Sequence, residues 1–351
     1  MEIIEVLKTA VEKNASDLFI IVGMPVSFKA DGNLVTIGEQ ILKPDNTREF
    51  VNGIYELAKR PMEQLDKTGD DDFSFALPGV SRFRVNVYRQ RGTFAAVIRV
   101  VRFTLPNPKD IGLPDIILNL AERTKGMVLV TGPAGSGKST TLACMIDHIN
   151  QTRNAHVITL EDPIEYLHSH KKCIVSQREV HLDTDSYVSA LRASLRQAPD
   201  VILLGEMRDH ETISVAMTAA ETGHLLLSTL HTVGAANSID RIVDSFPPSQ
   251  QQQIRVQLAQ ILQAVISQQL IPTEDGGVVP AFEIMVVNTA IRNMIRESKV
   301  HQIETVLYSS ANDGMMTMDG SLLKLYQEGR ISKKNALLYS LNPDVLARRL
   351  G

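Results

Sequence analysis

Tryptophan is absent from these 351 residues, only two residues are cysteine, and aromatic side chains make up 5% of the chain. Each shortage removes a class of function. Cys144 and Cys173 form no CxxC pair, so a tetracysteine zinc element is excluded and at most one disulfide is possible. Two such thiols fit a reducing compartment. Long Lys/Arg blocks are missing as well, and the net charge is −4. With few aromatics to stack on and no electropositive track, no nucleic-acid partner is expected. No apolar run approaches the roughly 20 residues a membrane helix needs. The amino terminus, MEIIEVLKTAVEKN, carries acidic residues early and has no long apolar segment of the secretory-signal kind. A cytoplasmic protein is expected, with any membrane contact indirect or peripheral.

What is present is an ordinary core-forming composition, 44% hydrophobic and 22% charged, in a chain long enough for about two domains. The first hundred residues read as a small α+β unit. Ile4, Leu7 and Val11 recur at helical spacing, and residues 18–22 form a strand-like apolar run. Phe73, Phe75 and Leu77 alternate, as do Phe83, Val85 and Val87, with Pro78 and Gly79 between them as a turn; residues 95–101 add another strand. Residues 104–114, TLPNPKDIGLP, hold three prolines and show no periodicity. They are predicted to be a linker and hinge between an amino-terminal domain, 1–103, and a core, 115–351.

The core has an α/β rhythm. Residues 127–130, 156–160, 201–204 and 225–227 are short apolar runs of the kind that form buried parallel strands. Leu142, Met145, Ile146 and Ile149 mark one helix face. From Ser249, read as a helix cap, the chain is predicted to be mostly helical, apart from a hairpin near Asp275 and Gly277, with carboxy-terminal helices from about 288. The fold class is therefore α/β, a core of buried parallel strands with a smaller α+β domain before it and a helical extension after it.

The chemistry concentrates in a few places. Gly132, Pro133, Ala134, Gly135, Ser136, Gly137, Lys138, Ser139 and Thr140 read GPAGSGKST, the GxxxxGK[ST] pattern, between a strand-like and a helix-like run. Glycines let successive N–H groups turn inward as an anion cradle at a helix start. Lys138 is expected on the β- and γ-phosphates of a nucleoside triphosphate and Ser139 on Mg²⁺. A chance glycine-rich turn would lack this strand–loop–helix setting. Residues 201–206, VILLGE, are an apolar strand ending in an acid, the Walker B arrangement with Glu206 in place of the usual Asp. Glu161, Asp162 and Glu165 surround Pro163 after another strand, and one of them is a candidate general base. His224 and His231 flank the last strand; either they are structural, or they sense the γ-phosphate or contact a neighbouring subunit. Arg82 and Arg84 face away from the small domain's core, with Arg89, Arg91 and Arg99 nearby. Cations of this kind, supplied across an interface, assist phosphoryl transfer, although a solvated basic face would look the same.

Taken together, FRVN (83–86), the glycine-rich loop, TLEDPIEY (159–166), GEMRD (205–209), TAAETGHLLLSTLHT (218–232) and AIRNMIRE (290–297) resemble the PilT family of type IV pilus retraction ATPases, within the secretion-type RecA-like superfamily. The resemblance spans nearly the whole chain. It implies a PAS-like amino-terminal domain and a RecA-like core, assembled as a homo-hexameric ring with ATP and Mg²⁺ between subunits. It also implies that Glu165 is the catalytic glutamate, that Glu206 is the Walker B acid near Mg²⁺, and that His224, His231 and amino-terminal arginines complete the site. Arg82, Arg84, Arg91 and Arg99 are the candidates to act in trans. Implied partners are an inner-membrane pilus platform protein and a paralogous retraction ATPase. Three departures stand out: Phe19 where relatives often carry His, Ala134 for a frequent Thr, and Met294 for Leu. Alternative readings are an accessory retraction paralogue and a pilus-assembly or type II secretion motor, the latter disfavoured by the missing cysteines. A nucleic-acid translocase and a non-hydrolysing nucleotide-binding regulator belong to different classes. In AIRNMIRE, Ile291, Met294 and Ile295 share one helical face and Arg292 and Arg296 another.

Overall fold

In residues 81–90 every second side chain points inward: Ser81, Phe83, Val85 and Val87 are buried, and the residues between them are partly or fully exposed. That period of two is the signature of a half-covered strand, and it organises the smaller of two units in the chain. The computed structural model describes residues 2–30, 33–101, 105–310 and 314–350. One unit comprises Met1–Thr104 with Pro163–Leu167, the other Leu105–Asp162 with His168–Gly351.

The smaller unit runs α1 (Ile3–Glu12), β1 (Asp17–Ile20), β2 (Ser27–Ala30), β3 (Asn33–Thr36), α2 (Pro44–Ala58), α3 (Glu63–Thr68), β4 (Asp70–Leu77), β5 (Ser81–Gln90) and β6 (Thr93–Val101). Its strands form one antiparallel sheet in the order β3-β2-β1-β6-β5-β4. Arg91 and Gly92, both at positive φ, make the tight β5–β6 turn. Proline at its first turn starts α2, and Phe50, Val51, Ile54 and Tyr55 bury one face of it. They meet Leu7, Leu18, Phe83 and Ile98 in a single core. Inside this apolar setting Asp71 accepts two hydrogen bonds from Arg60 and one from Tyr55, each at 2.9 Å, and its side chain is 2% exposed. Burial and the Asp71 carboxylate together push the Tyr55 hydroxyl well above its ordinary range.

The larger unit runs α4 (Asp115–Leu120), β7 (Gly126–Thr131), α5 (Lys138–Thr152), β8 (His156–Glu161), β9 (Ile174–Glu179), α6 (Tyr187–Ser194), β10 (Val201–Leu204), α7 (His210–Glu221), β11 (Leu225–Leu230), α8 (Ala235–Asp244), α9 (Pro248–Ile261), β12 (Leu262–Pro272), β13 (Val278–Val286), α10 (Thr289–Arg296), α11 (Ile303–Ser309), α12 (Met318–Gln327), α13 (Lys333–Leu338) and α14 (Pro343–Leu350). Its sheet has the order β13-β12-β7-β11-β10-β8-β9, parallel throughout except for the β12–β13 hairpin. Strands β7, β10 and β11 are buried along their whole length. Continuous apolar runs follow because helices cover both faces, α4 and α5 on one side and α6 to α10 on the other.

Three expectations change. From Ser249 on the chain is mostly helical with a hairpin turning near Asp275 and Gly277, but that hairpin is longer than its turn residues suggest, because LQAVISQQLIP builds the long strand β12. Covered on both faces, it lacks the alternation that marks a strand in sequence. Helix α9 is capped at Pro247 with Pro248 in its first turn, which places Ser249 inside the helix. The linker expected over 104–114 also changes: Thr104 lies outside the described residues, and the chain from Leu105 on belongs to the larger unit. There Leu113 is buried, and Cys144 Sγ lies 3.7 Å from the Pro106 carbonyl. The prolines that erased periodicity tie this stretch down.

Replacing Asp71 by Ala should lower stability by about 3 kcal/mol, since a buried pair that loses one partner leaves the other unsatisfied; denaturant titration of the full chain measures it. A second expectation concerns His168, whose ring burial holds its pKa down to about 4 from an ordinary 6.5. Nδ1 of this ring is buried without a hydrogen-bond partner. Folding keeps the ring neutral, so its contribution is whole above pH 6.5 and is lost as the pH falls from 6.5 toward 4. His168→Gln should flatten that acid limb, worth at most about 3 kcal/mol, in melting curves recorded across the interval.

Candidate functional site

The chain leaves β7 into the glycine-rich loop and enters α5 at Lys138. At Gly132, φ is 142° and a Cβ would stand 2.1 Å from the carbonyl oxygen of Gln268. At Gly137, which caps α5 with φ 87°, a Cβ would meet Gln268 Nε2 at 2.8 Å. Only glycine fits either position. The loop is thus pressed against β12, and Thr141 Oγ1 donates to Gln268 Oε1 at 2.6 Å. Lys138, 8% exposed, folds across the loop and donates to the carbonyls of Gly132 and Pro133, each at 2.9 Å. Ser136 Oγ is buried with no hydrogen-bond partner. An orphaned hydroxyl costs about 1–3 kcal/mol, and a phosphate oxygen at the amino end of α5 would satisfy it. Pro133, Ala134 and Gly135 form the exposed rim; Ser139 and Thr140 are half-buried on the first turn of α5. Beside Gly137 and Thr140 lies a cavity of about 280 Å³ walled by Ile111, Leu113, Leu270, Val278, Pro280 and Phe282, an apolar slot suited to a flat base.

The parallel register brings the carboxyl ends of β7, β11, β10 and β8 to one edge of the sheet, where open α/β sheets bind ligands. Glu206 follows β10 there, 12% exposed, with Oε1 at 2.5 Å from Arg208 Nη2 and Oε2 at 3.2 Å from His231 Nε2. The strand ends are locked together: Thr229 Oγ1 donates to the Gly205 carbonyl at 2.7 Å, and Met207 N to the Thr229 carbonyl at 3.2 Å. Glu206 in turn raises the Arg208 guanidinium above its ordinary pKa. Glu161 ends β8 on the same edge, accepting from Thr159 Oγ1 at 2.5 Å and Gln177 Nε2 at 3.2 Å. Asp162 is exposed. Tyr187 belongs with this acidic group, because burial and then the carboxylates of Asp162, Glu206 and Glu161 push its hydroxyl well up. Ser139 and Glu206 are the oxygen donors a Mg²⁺ ion would find here, and magnesium takes few protein ligands beside phosphate and water.

Glu165 is exposed and groups with the smaller unit. His224 precedes β11 and His231 follows it, so the six-residue strand sets the two about 20 Å apart within one chain. His224 Nδ1 lies 3.0 Å from the Ala219 carbonyl and 3.2 Å from Thr222 Oγ1, so within one chain it closes the end of α7 at the sheet's far edge. In the smaller unit Arg84 pairs with Asp72 and Arg99 with Asp17, each at 2.9 Å. Arg91 is exposed in the turn, and Arg82 is half-buried.

Sequence reasoning missed Gln268 and Glu283. Their signal was a polar residue inside an apolar strand run. Glu283 Oε1 accepts from Ala235 N at 2.7 Å and Oε2 from Met318 N at 3.4 Å. It therefore caps α8 and α12 together, while Ser267 Oγ takes the Gly234 N–H at 2.9 Å. Burial raises the Glu283 pKa against the pull of those two donors.

A sequence profile for "Type II/IV secretion system protein" matches residues 2–276. The type IV pilus retraction ATPase PilT of Pseudomonas aeruginosa is 44% identical over 337 residues, covering 96% of this chain and 97% of that protein. A twitching motility protein of Neisseria gonorrhoeae is 43% identical over 346 residues, covering 98% and 92%. A crystal structure of the pilus retraction motor PilT with bound ADP superimposes with a TM-score of 0.90 at 47% identity, covering 99% of each chain. The architecture is thus a RecA-like secretion ATPase core with a smaller α+β domain. The chain belongs to the type II/IV secretion system protein family and, within it, to the PilT group.

Proposed function

We propose that this protein is an ATPase that powers type IV pilus retraction and hence twitching motility. One observation carries the reading: a phosphate loop whose Ser136 hydroxyl is orphaned shares the sheet edge with the Glu206–His231 pair, in a chain matching a retraction motor end to end. The base occupies the apolar slot beside Thr140, and the loop N–H groups and Lys138 hold the phosphates. Ser139 and Glu206 would hold a Mg²⁺ ion, which would supply charge neutralisation for the phosphates. Glu165 accepts a proton from the attacking water as its oxygen bonds to the γ-phosphorus and the bond to the ADP oxygen breaks. His231 steadies Glu206 and reports on the γ-phosphate. Arginines of the smaller unit, chosen among Arg82, Arg84, Arg91 and Arg99, complete the site of a neighbouring subunit in a homo-hexamer. The ring works in the cytoplasm against an inner-membrane platform protein, alone or beside a paralogous ATPase.

Lys138→Ala should abolish nucleotide binding measured by calorimetry. Glu165→Gln should keep binding and lower steady-state ATP turnover by about 10²–10⁴-fold, the worth of a general base; unchanged turnover would remove Glu165 from its role. In cells, deletion of the gene should give hyperpiliated bacteria that do not twitch, seen by electron microscopy and stab assay, whereas bald cells would assign the protein to pilus assembly.

A further inference from the structure

At the opposite end of β7 from the phosphate loop, a cleft of about 470 Å³ opens between the segment leading into β7, the end of α9 and helix α10. Arg123 and Lys125 stand on one wall, Arg292 and Arg296 on the other, and Gln260 and Gln263 between them. Among the described residues no carboxylate lines it, and Ala259 is its apolar lining side chain. The acids nearest in sequence are engaged elsewhere: Glu122 with His148 at 3.2 Å and Glu297 with Lys299 at 2.6 Å. Arg292 Nε is buried without a hydrogen-bond partner, and a guanidinium donor left unmatched there is costly. Helical spacing stacks Arg292 and Arg296 one turn apart, and Arg153 fixes the facing segment by donating to the Arg123 carbonyl at 3.0 Å.

We propose that this cleft binds a compact phosphate-bearing anion, at a site separate from the phosphate loop. Four cations around one small volume call for a ligand carrying several negative charges. The described lining has no aromatic side chain and one small apolar one, Ala259, so it offers no apolar pocket to enclose a nucleotide base. The same lack argues equally against a peptide, since protein partners usually anchor through a buried aromatic or aliphatic side chain. A phosphate group is slender enough to reach Arg292 Nε on the cleft wall, and the amides of Gln260 and Gln263 can donate to its remaining oxygens. Free polyphosphate-type anions and phospholipid headgroups share this chemistry.

The test uses the full-length protein saturated with ADP and Mg²⁺, so that the phosphate loop is occupied, and titrates inorganic tripolyphosphate by calorimetry. One further site per chain is expected, weakening steeply with salt and at least tenfold in Arg292→Gln/Arg296→Gln. Should that variant melt early, Lys125→Gln, on the other wall, is expected to weaken binding severalfold by itself. No saturable binding, or equal binding by the variants, overturns the proposal. Vesicles separate the two sources. Cosedimentation with phosphatidylglycerol but not phosphatidylcholine vesicles, lost in the double variant, identifies a headgroup; tripolyphosphate binding without such cosedimentation identifies a free anion. Tighter binding of hexaglutamate than of tripolyphosphate overturns the proposal in favour of an acidic protein segment.

Discussion

The catalytic edge depends on a steric condition: at Gly132 the backbone lies so close to the Gln268 carbonyl that no Cβ can enter. Strand β12 thereby becomes the back wall of the phosphate loop. The Gln268 carbonyl closes off Gly132, and its side chain stands against Gly137 and receives the Thr141 hydroxyl, so both ends of the loop and the first turn of α5 are referred to one residue. Because β12 pairs in parallel with β7 on one side and antiparallel with β13 on the other, the reference is rigid. The sheet extends past β7 so that the loop has something to lean against.

A second layer of order comes from pairing at the strand ends. Thr229 and Met207 couple β11 to the turn after β10, and Glu206 is held between the exposed Arg208 and His231. A carboxylate fixed in this way is oriented before any ligand arrives, which is the condition for electrostatic assistance without reorganisation. Tyr187, whose hydroxyl is raised first by burial and then by Asp162, Glu206 and Glu161, lies beside the same acids.

Much of this was legible in the residues. The phosphate loop, the four central strands and Glu206 follow from glycine spacing and apolar runs, signals that depend only on local geometry. The alternation of Phe83, Val85 and Val87 disclosed the antiparallel sheet for the same reason. Other features depend on what lies across space. LQAVISQQLIP hid its strand character because both its faces are covered. Gln268 and Glu283 looked like interruptions, since their partners are 127 and 48 residues away. His224 and His231 looked equivalent in sequence because a strand's length, not its composition, decides which end each one occupies. The prolines of 105–114 suggested freedom where burial of Leu113 gives attachment.

Glu283 has one more consequence. Its two oxygens fasten the start of α8, just past His231, and the start of α12. The turn that presents His231 therefore reaches its final anchorage only after residue 318 has been made. During synthesis a partial chain can already possess the phosphate loop, Glu206 and His231 and still leave a buried carboxylate short of one donor. One buried carboxylate thus ties the anchorage of the turn after His231 to a segment made much later in the chain.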